Sequence, residues 1–192
     1  ACDLCLDEAR NVKAEKIMHY GHAEFMRVRS DIEIEYLPYF SELDWKVGKR
    51  VLDTAVSLLQ KINAKKIALV FPVQHLENSK KVKIYLEENG LTVKLDKGGS
   101  HVRHAGQVLG CDSVAVVNAG EVDAVLYFGG GKFHPTGIPS TKPVLCADPH
   151  LGDSYWITDE IRRVERKRAG SILAAATKAK TFGILVSTKC GQ

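Results

Sequence analysis

Long apolar runs are missing from this 192-residue chain, and none approaches the ~18 residues of a membrane span. No charged-then-apolar segment opens it. The expected setting is therefore the cytoplasm, with no membrane contact. Charge of one sign is not in large excess: 27 Lys and Arg against 23 Asp and Glu leave +4. That is too little to indicate direct nucleic-acid binding. A disulfide framework is also unsupported, because the five cysteines (2, 5, 111, 146 and 190) are odd in number and no secretory signal accompanies them. Metal ligands or buried thiols remain. A second Cys-x-x-Cys is lacking, so Cys2-x-x-Cys5 does not make the paired type of zinc site, and a redox pair would need a preceding strand, whose place is before residue 1. The single-loop Cys-x-x-x-Cys-x-x-Cys of ordinary radical iron–sulfur enzymes is absent too.

What is present is an alternation of helices and apolar strands. A short helix over 3–14 leads to a strand at 16–20, halted by Gly21-His22, and to an alternating strand at 33–38 ended by Pro38. Asp44 stands where it can cap a helix whose stripe is Val51, Leu52, Ala55, Leu58, Leu59 and Ile62. The run 67–71 is continuously apolar, as in a strand covered on both faces. A helix follows over 78–89, stopped by Asn89-Gly90, then a strand at 91–95. Runs at 124–128 and 143–147 read as buried strands, Thr158 as the cap of a helix reaching Lys178, and 182–187 as a last strand. Strands alternating with helices imply an α/β fold of repeated parallel β-α-β units with helices on both faces. The breaks near 43 and 180 divide the chain into the C-terminal half of a first α/β domain (1–43), a complete second one (44–179) and the start of a third (180–192). Beginning in a cysteine motif and stopping just after an apolar run, the chain reads as a piece of a longer protein.

Several stretches are candidates for chemistry. Gly106-Gln107-Val108-Leu109-Gly110-Cys111 is a glycine-bounded turn that presents one thiol between two sheet-like segments; ligand and core filler are equally open there. Cys146 sits inside an apolar strand and reads as packing. The 129–135 turn, Gly-Gly-Gly-Lys-Phe-His-Pro, follows a strand end, where open parallel sheets bind ligands. Phe133 occupies the place of the Ser or Thr that follows Lys in a phosphate loop, so the choice lies between a structural turn and a backbone nest. His19-x-x-His22 lacks the spacing of a zinc protease and reads as a strand-end turn. Arg162, Arg163, Arg166, Lys167 and Arg168 make a solvated helix face, with docking of an acidic partner as the alternative.

Taken together these segments resemble the archaeal-type diphthamide synthase subunit family. The matching stretches are Ala1-Cys2-Asp3, His19-Tyr20-Gly21-His22, the 106–111 turn, Phe128 to Pro135, Asp148-Pro149 followed by His150 in an aromatic slot, and Phe182 to Gln192. The resemblance implies three similar α/β domains, each giving one cysteine to a [4Fe–4S] cluster, in a homodimer. By position the first ligand is Cys2, not Cys5, and the second is Cys111; the third lies beyond Gln192, and Cys190 is not promoted. Three thiolates leave one iron open. In this family S-adenosylmethionine binds there, an electron cleaves its sulfur–γ-carbon bond, and the 3-amino-3-carboxypropyl radical adds to C2 of a histidine of translation elongation factor 2. An electron donor is implied as a further partner. Gly129, Gly130, Ser187 and Gln192 are expected near the amino-acid or sulfonium end of the cofactor. The competing classes are an accessory or electron-transfer subunit of the same pathway and a nucleotide-binding α/β module using 129–131.

Overall fold

The computed structural model describes residues 3–138 and 141–184. Its frame is a five-stranded sheet in the order β4-β3-β5-β6-β7. The four parallel strands are β3 (Lys66–Val70), β4 (Thr92–Lys94), β5 (Ala124–Phe128) and β6 (Val144–Asp148); β7 (Asp153–Trp156) runs antiparallel at one edge. A separate parallel pair is formed by β1 (Lys16–Tyr20) and β2 (Glu33–Leu37).

Side chains on β3 alternate between the two faces, as a strand requires. Ile67, Leu69 and Phe71 pack with Val51, Leu52, Ala55 and Leu59 of α2 (Trp45–Lys61) and with Val82 and Leu86 of α3 (Ser79–Glu88). Ala68 and Val70 face the other way, onto Ala115 of α4 (Val114–Asn118) and Ile161 of α5 (Thr158–Lys178). Both faces are thus covered, which is why these strands read as continuous apolar runs. The class is α/β with parallel-dominated sheets, as the sequence implies.

Local signals act where expected in most places. The Asp44 carboxylate accepts from Lys46 N–H at 2.9 Å and caps α2. Asn89 ends α3, and Gly90 takes the left-handed φ of +85°. Thr158 is a correction. It is the first residue of α5 rather than its cap, and its hydroxyl instead accepts from Val144 N–H at 2.8 Å, tying the helix start to β6. The 78–89 helix opens with a 3-10 turn over Val73–Asn78. Cys111 is followed by a helix, α4, and not by a second sheet-like segment. Of the expected strand at 182–187, Phe182, Gly183 and Ile184 have no regular structure, and the remainder lies outside the described residues.

A third cluster joins the two sheets. Leu4, Leu6 and Phe25 pack with Val102 and Leu109. Burying a leucine contributes roughly 1.5–3 kcal/mol, so this contact holds the N-terminal segment, with α1 (Leu6–Asn11), against the loop that carries Cys111.

Candidate functional site

The 106–111 turn prolongs the hydrogen bonding of β3. Phe71 N–H donates to Gly106 O at 2.8 Å, and Val108 N–H donates to Phe71 O at 2.9 Å. Gly106 has φ +72°, and a Cβ there would stand 2.3 Å from Leu95 Cδ1. Both facts demand glycine. Gly110 makes room for Phe133, whose Cε1 would lie 2.7 Å from an added Cβ, so the 129–135 turn rests on the Cys111 turn. Buried Gln107 and Asp112 brace the loop from inside. Gln107 Oε1 accepts from Arg103 and His104 N–H at 3.0 and 3.2 Å. The Asp112 carboxylate accepts from Gly99, His101 and Val114 N–H at 3.0, 3.1 and 3.2 Å.

On this braced turn Cys111 is exposed, whereas Cys146 is fully buried. Burial, helped by the charge of Asp148, pushes the Cys146 thiol up to about 12, so it stays an inert core thiol. Cys5 is exposed at the N-cap of α1 with φ +54°, its N–H donating to Asp3 at 3.0 Å. Cys2, Ser187, Cys190 and Gln192 lie outside the described residues. Leu4 and Leu109, each two positions from one of the cysteines singled out above, belong to the same buried cluster.

Beside this turn the chain buries several imidazoles. His19 Nε2, His22 Nδ1, His75 Nδ1 and His134 Nδ1 are buried and find no hydrogen-bond partner among the described residues. All four sit at or just past the carboxyl ends of β1, β3 and β5. His19 and His22 have ring centroids 5.1 Å apart, across a turn made possible by Gly21 at φ +91°. Burial, then the neighbouring His22, lowers the pKa of both His19 and His134. Gln74 Nε2 donates to Gly21 O at 3.0 Å, linking this turn to the end of β3.

A cavity of about 540 Å³ opens at the carboxyl ends of β3, β5 and β6, walled by Gln74, His75, Gly130, His134, Asp148 and His150. Because β4 and β5 flank β3 on opposite sides, this is the switch point where open parallel sheets bind ligands. A Cβ on Gly129 would lie 2.7 Å from Pro72 Cδ, and one on Gly130 2.5 Å from His150 Cδ2. Of the two glycines expected near a cofactor, Gly130 therefore walls the cavity, while Gly129 packs on Pro72. His75 and His150 have centroids 5.3 Å apart. Burial, then His150, lowers the pKa of His75 to about 4, partly opposed by Asp148. Sequence reasoning did not single out His75, Asp148 or His150 as site residues. For Asp148 and His150 the available signal was the Asp148-Pro149-His150 stretch that the resemblance rests on; His75, inside the 3-10 turn after β3, had none.

Among the described residues, no group of three or more His, Cys, Asp or Glu is arranged to hold a metal ion, and no helix is long and apolar enough to cross a membrane. The basic residues of α5 are exposed, with Arg162 and Arg163 each 4.0 Å from an acidic residue one turn earlier.

Residues 1–192 match the family described as "Putative diphthamide synthesis protein". The chain is 34% identical over 195 residues to the 2-(3-amino-3-carboxypropyl)histidine synthase of Pyrococcus horikoshii, an alignment covering 100% of this chain and 54% of that protein. To the synthase of Methanocaldococcus jannaschii it is 25% identical over 198 residues, covering 100% and 51%. To synthase subunit 1 of Caenorhabditis elegans it is 26% identical, covering 96% and 46%. The crystal structure of Dph2 from Pyrococcus horikoshii with a 4Fe-4S cluster superposes with a TM-score of 0.81 at 32% identity, over 100% of this chain and 54% of that one. The chain spans about half the length of the curated relatives it matches. With its full length matched and its fold shared, the chain belongs to the diphthamide synthesis protein family.

Proposed function

We propose that this chain is part of a 2-(3-amino-3-carboxypropyl)histidine synthase. In this reading it transfers the 3-amino-3-carboxypropyl group of S-adenosylmethionine to C2 of a histidine of elongation factor 2, in the cytoplasm. Residues 1–43, 44–179 and 180–192 then belong to three successive α/β domains of a protein that acts as a homodimer and draws on an electron donor. Cys2 and Cys111 would hold a [4Fe–4S] cluster together with a third thiolate outside this chain. The observation that carries the reading is the cluster in which Leu4 and Leu109 meet. It ties the segment after Cys2 to the segment before Cys111, although the two cysteines are remote along the chain.

The donor set suits the group. Cys111 is exposed on a turn that Asp112 fixes through three backbone N–H groups, and thiolates are the usual ligands of such clusters. When bound, the cluster supplies an open iron for the sulfonium compound and the electron that cleaves its sulfur–carbon bond. The residues of the chain do the rest by placement. Asp112 holds the Cys111 backbone, and Gly110 lets Phe133 lie against it. Gly129, Gly130, Ser187 and Gln192 are assigned to the amino-acid or sulfonium end of the cofactor. His19 and His134, with pKa values depressed by burial, add no positive charge beside a cationic sulfonium.

The test is anaerobic reconstitution of the whole protein that contains this chain, with about four irons per chain expected. Cys111→Ala should lose the iron and Cys5→Ala should keep it. Iron retained by Cys111→Ala overturns the assignment. A second reading, an accessory or electron-transfer subunit, draws on the subunit 1 naming of the Caenorhabditis elegans relative. Iron content with no transfer to the factor unless a partner chain is added would favour it.

A further inference from the structure

Each of the two cysteines assigned above to the cluster is followed by an aspartate, Asp3 after Cys2 and Asp112 after Cys111. The two carboxylates make the same local bond. Asp3 accepts from the N–H two residues on, that of Cys5, at 3.0 Å. Asp112 accepts from the N–H two residues on, that of Val114, at 3.2 Å. Each turn opens a short helix, α1 at Leu6 and α4 at Val114, and each helix hands the chain to a parallel strand, β1 at Lys16 and β5 at Ala124. Counted from the cysteine, those strands start fourteen and thirteen residues on. A Cys-Asp turn is thus built twice, beside two separate sheets.

Bracing such a turn does not require a charge. Asparagine accepts from the N–H two residues on as aspartate does, so what the carboxylate adds is its negative charge. At Asp112 that charge is buried, 4% exposed, where an uncompensated ion is unfavourable. Its compensation is three neutral backbone N–H groups rather than a cation. Among the described residues the one basic group within 4 Å is His101, whose Nδ1 lies 3.8 Å away. Glu24, which reaches the same loop, is placed differently: Arg27 at 2.8 Å and Arg103 at 3.4 Å neutralise it. Asp112 therefore keeps its field, and poor screening in the interior carries that field to its surroundings.

We infer that Asp112, with Asp3 in the matching place, is a positioning residue of an electrostatic kind: it holds a fixed negative charge beside the cysteine ligand and lowers the reduction potential of the cluster. Potentials of these clusters follow local charge and hydrogen bonding. A carboxylate next to a thiolate ligand disfavours an added electron, so the reduced form gives that electron up more readily. This role rests on the transferase reading above and suits its chemistry. A sulfonium that takes up one electron separates into a neutral thioether and a carbon radical, which calls for a strong reductant; the electron donor of that reading replaces the electron spent.

The experiment is an anaerobic potentiometric titration of the whole reconstituted protein, following the electron paramagnetic resonance signal of the reduced cluster. In Asp112→Asn the amide oxygen can keep the bonds to Gly99 and Val114 that one carboxylate oxygen makes, so iron should stay at about four per chain while the charge is gone. The midpoint should move positive by at least about 59 mV, a tenfold change for one electron. Asp3→Asn should move it the same way by less, because Asp3 is only half-buried. Asp123→Asn is the control for a purely structural carboxylate. Asp123 also accepts from two backbone N–H groups, those of Lys65 and Lys66 at 2.8 Å each, but at the amino end of β3, and its loss should leave the midpoint in place. If Asp112→Asn does not hold iron, Asp3→Asn decides: a positive shift supports the role and its absence overturns it. An unmoved or more negative midpoint in iron-loaded Asp112→Asn, or an equal shift in Asp123→Asn, overturns the role of Asp112 and leaves the cluster standing. Wild-type protein that takes up no iron overturns the cluster itself, and this role with it.

Discussion

Replacing Asp112 by alanine tests whether the Cys111 turn is as rigid as its hydrogen bonds imply. The carboxylate is 4% exposed and accepts from three backbone N–H groups. At about 1.5–3 kcal/mol for each hydrogen bond to a charged group, independent loss of all three would cost roughly 5–9 kcal/mol. That sum is too large. Gly99 is half-buried and His101 exposed, so water takes over part of the role of the carboxylate once the side chain is gone. About 3 kcal/mol is the expected cost, a large share of the 5–15 kcal/mol typical of a domain. With a urea slope near 2 kcal/mol per molar, the midpoint should fall by about 1.5 M. Amide exchange should accelerate at Leu109, whose N–H pairs with Asp112 O at 2.8 Å. A midpoint shift under about 0.3 M together with unchanged exchange at Gly99 and Leu109 would refute the argument that Asp112 holds the turn.

Other substitutions discriminate further. Gly110→Ala should be mild, within about 1 kcal/mol in urea melts, because the atom it meets at 2.7 Å is the edge of the exposed Phe133 ring. Gly137→Ala meets Gly110 O at 2.5 Å, where only backbone movement relieves the clash, and should cost about 2 kcal/mol or more. Thr158→Val should destabilise by about 1–3 kcal/mol by leaving the Val144 N–H unpaired; equal stability would show that this bond contributes nothing to the fold. His75 gives a pH signature. With its pKa near 4 in the fold and near 6.5 when unfolded, the unfolded chain binds a proton that the folded one refuses. Its contribution is fully present above about 6.5 and is lost as pH falls toward 4, by up to about 3 kcal/mol. His75→Phe should flatten that part of the stability profile, and an unchanged profile would show that the ring is not desolvated.

Much of the fold was legible along the chain because both faces of β3, β5 and β6 are covered, and such strands must be apolar throughout. Asp44 and Asn89-Gly90 marked helix ends through chemistry that acts within a few residues. Where neighbours remote in sequence decide, the local signal misled. Val114–Asn118 is rich in β-branched residues, yet it forms α4 because Ala115 and Val116 pack on the sheet. Asp153–Trp156 is an edge strand with one face turned away from the core, so its mixed polarity hid it. Thr158 looked like a cap because a hydroxyl before a helical pattern normally finds the helix's own N–H groups; here the nearest unpaired donor is on β6.

By itself the sequence determined the α/β class, the glycine turn that carries Cys111 and the apolar strands that converge on it, since each depends on neighbours along the chain. Only the tertiary structure decided that Leu4 meets Leu109, that Cys111 is exposed while Cys146 is buried, and that His75, Gly130, Asp148 and His150 enclose one cavity. The reason is physical. Parallel strands leave all their carboxyl ends on one side of the sheet, so residues some seventy-five positions apart become neighbours through hydrogen-bond register, which no local pattern encodes.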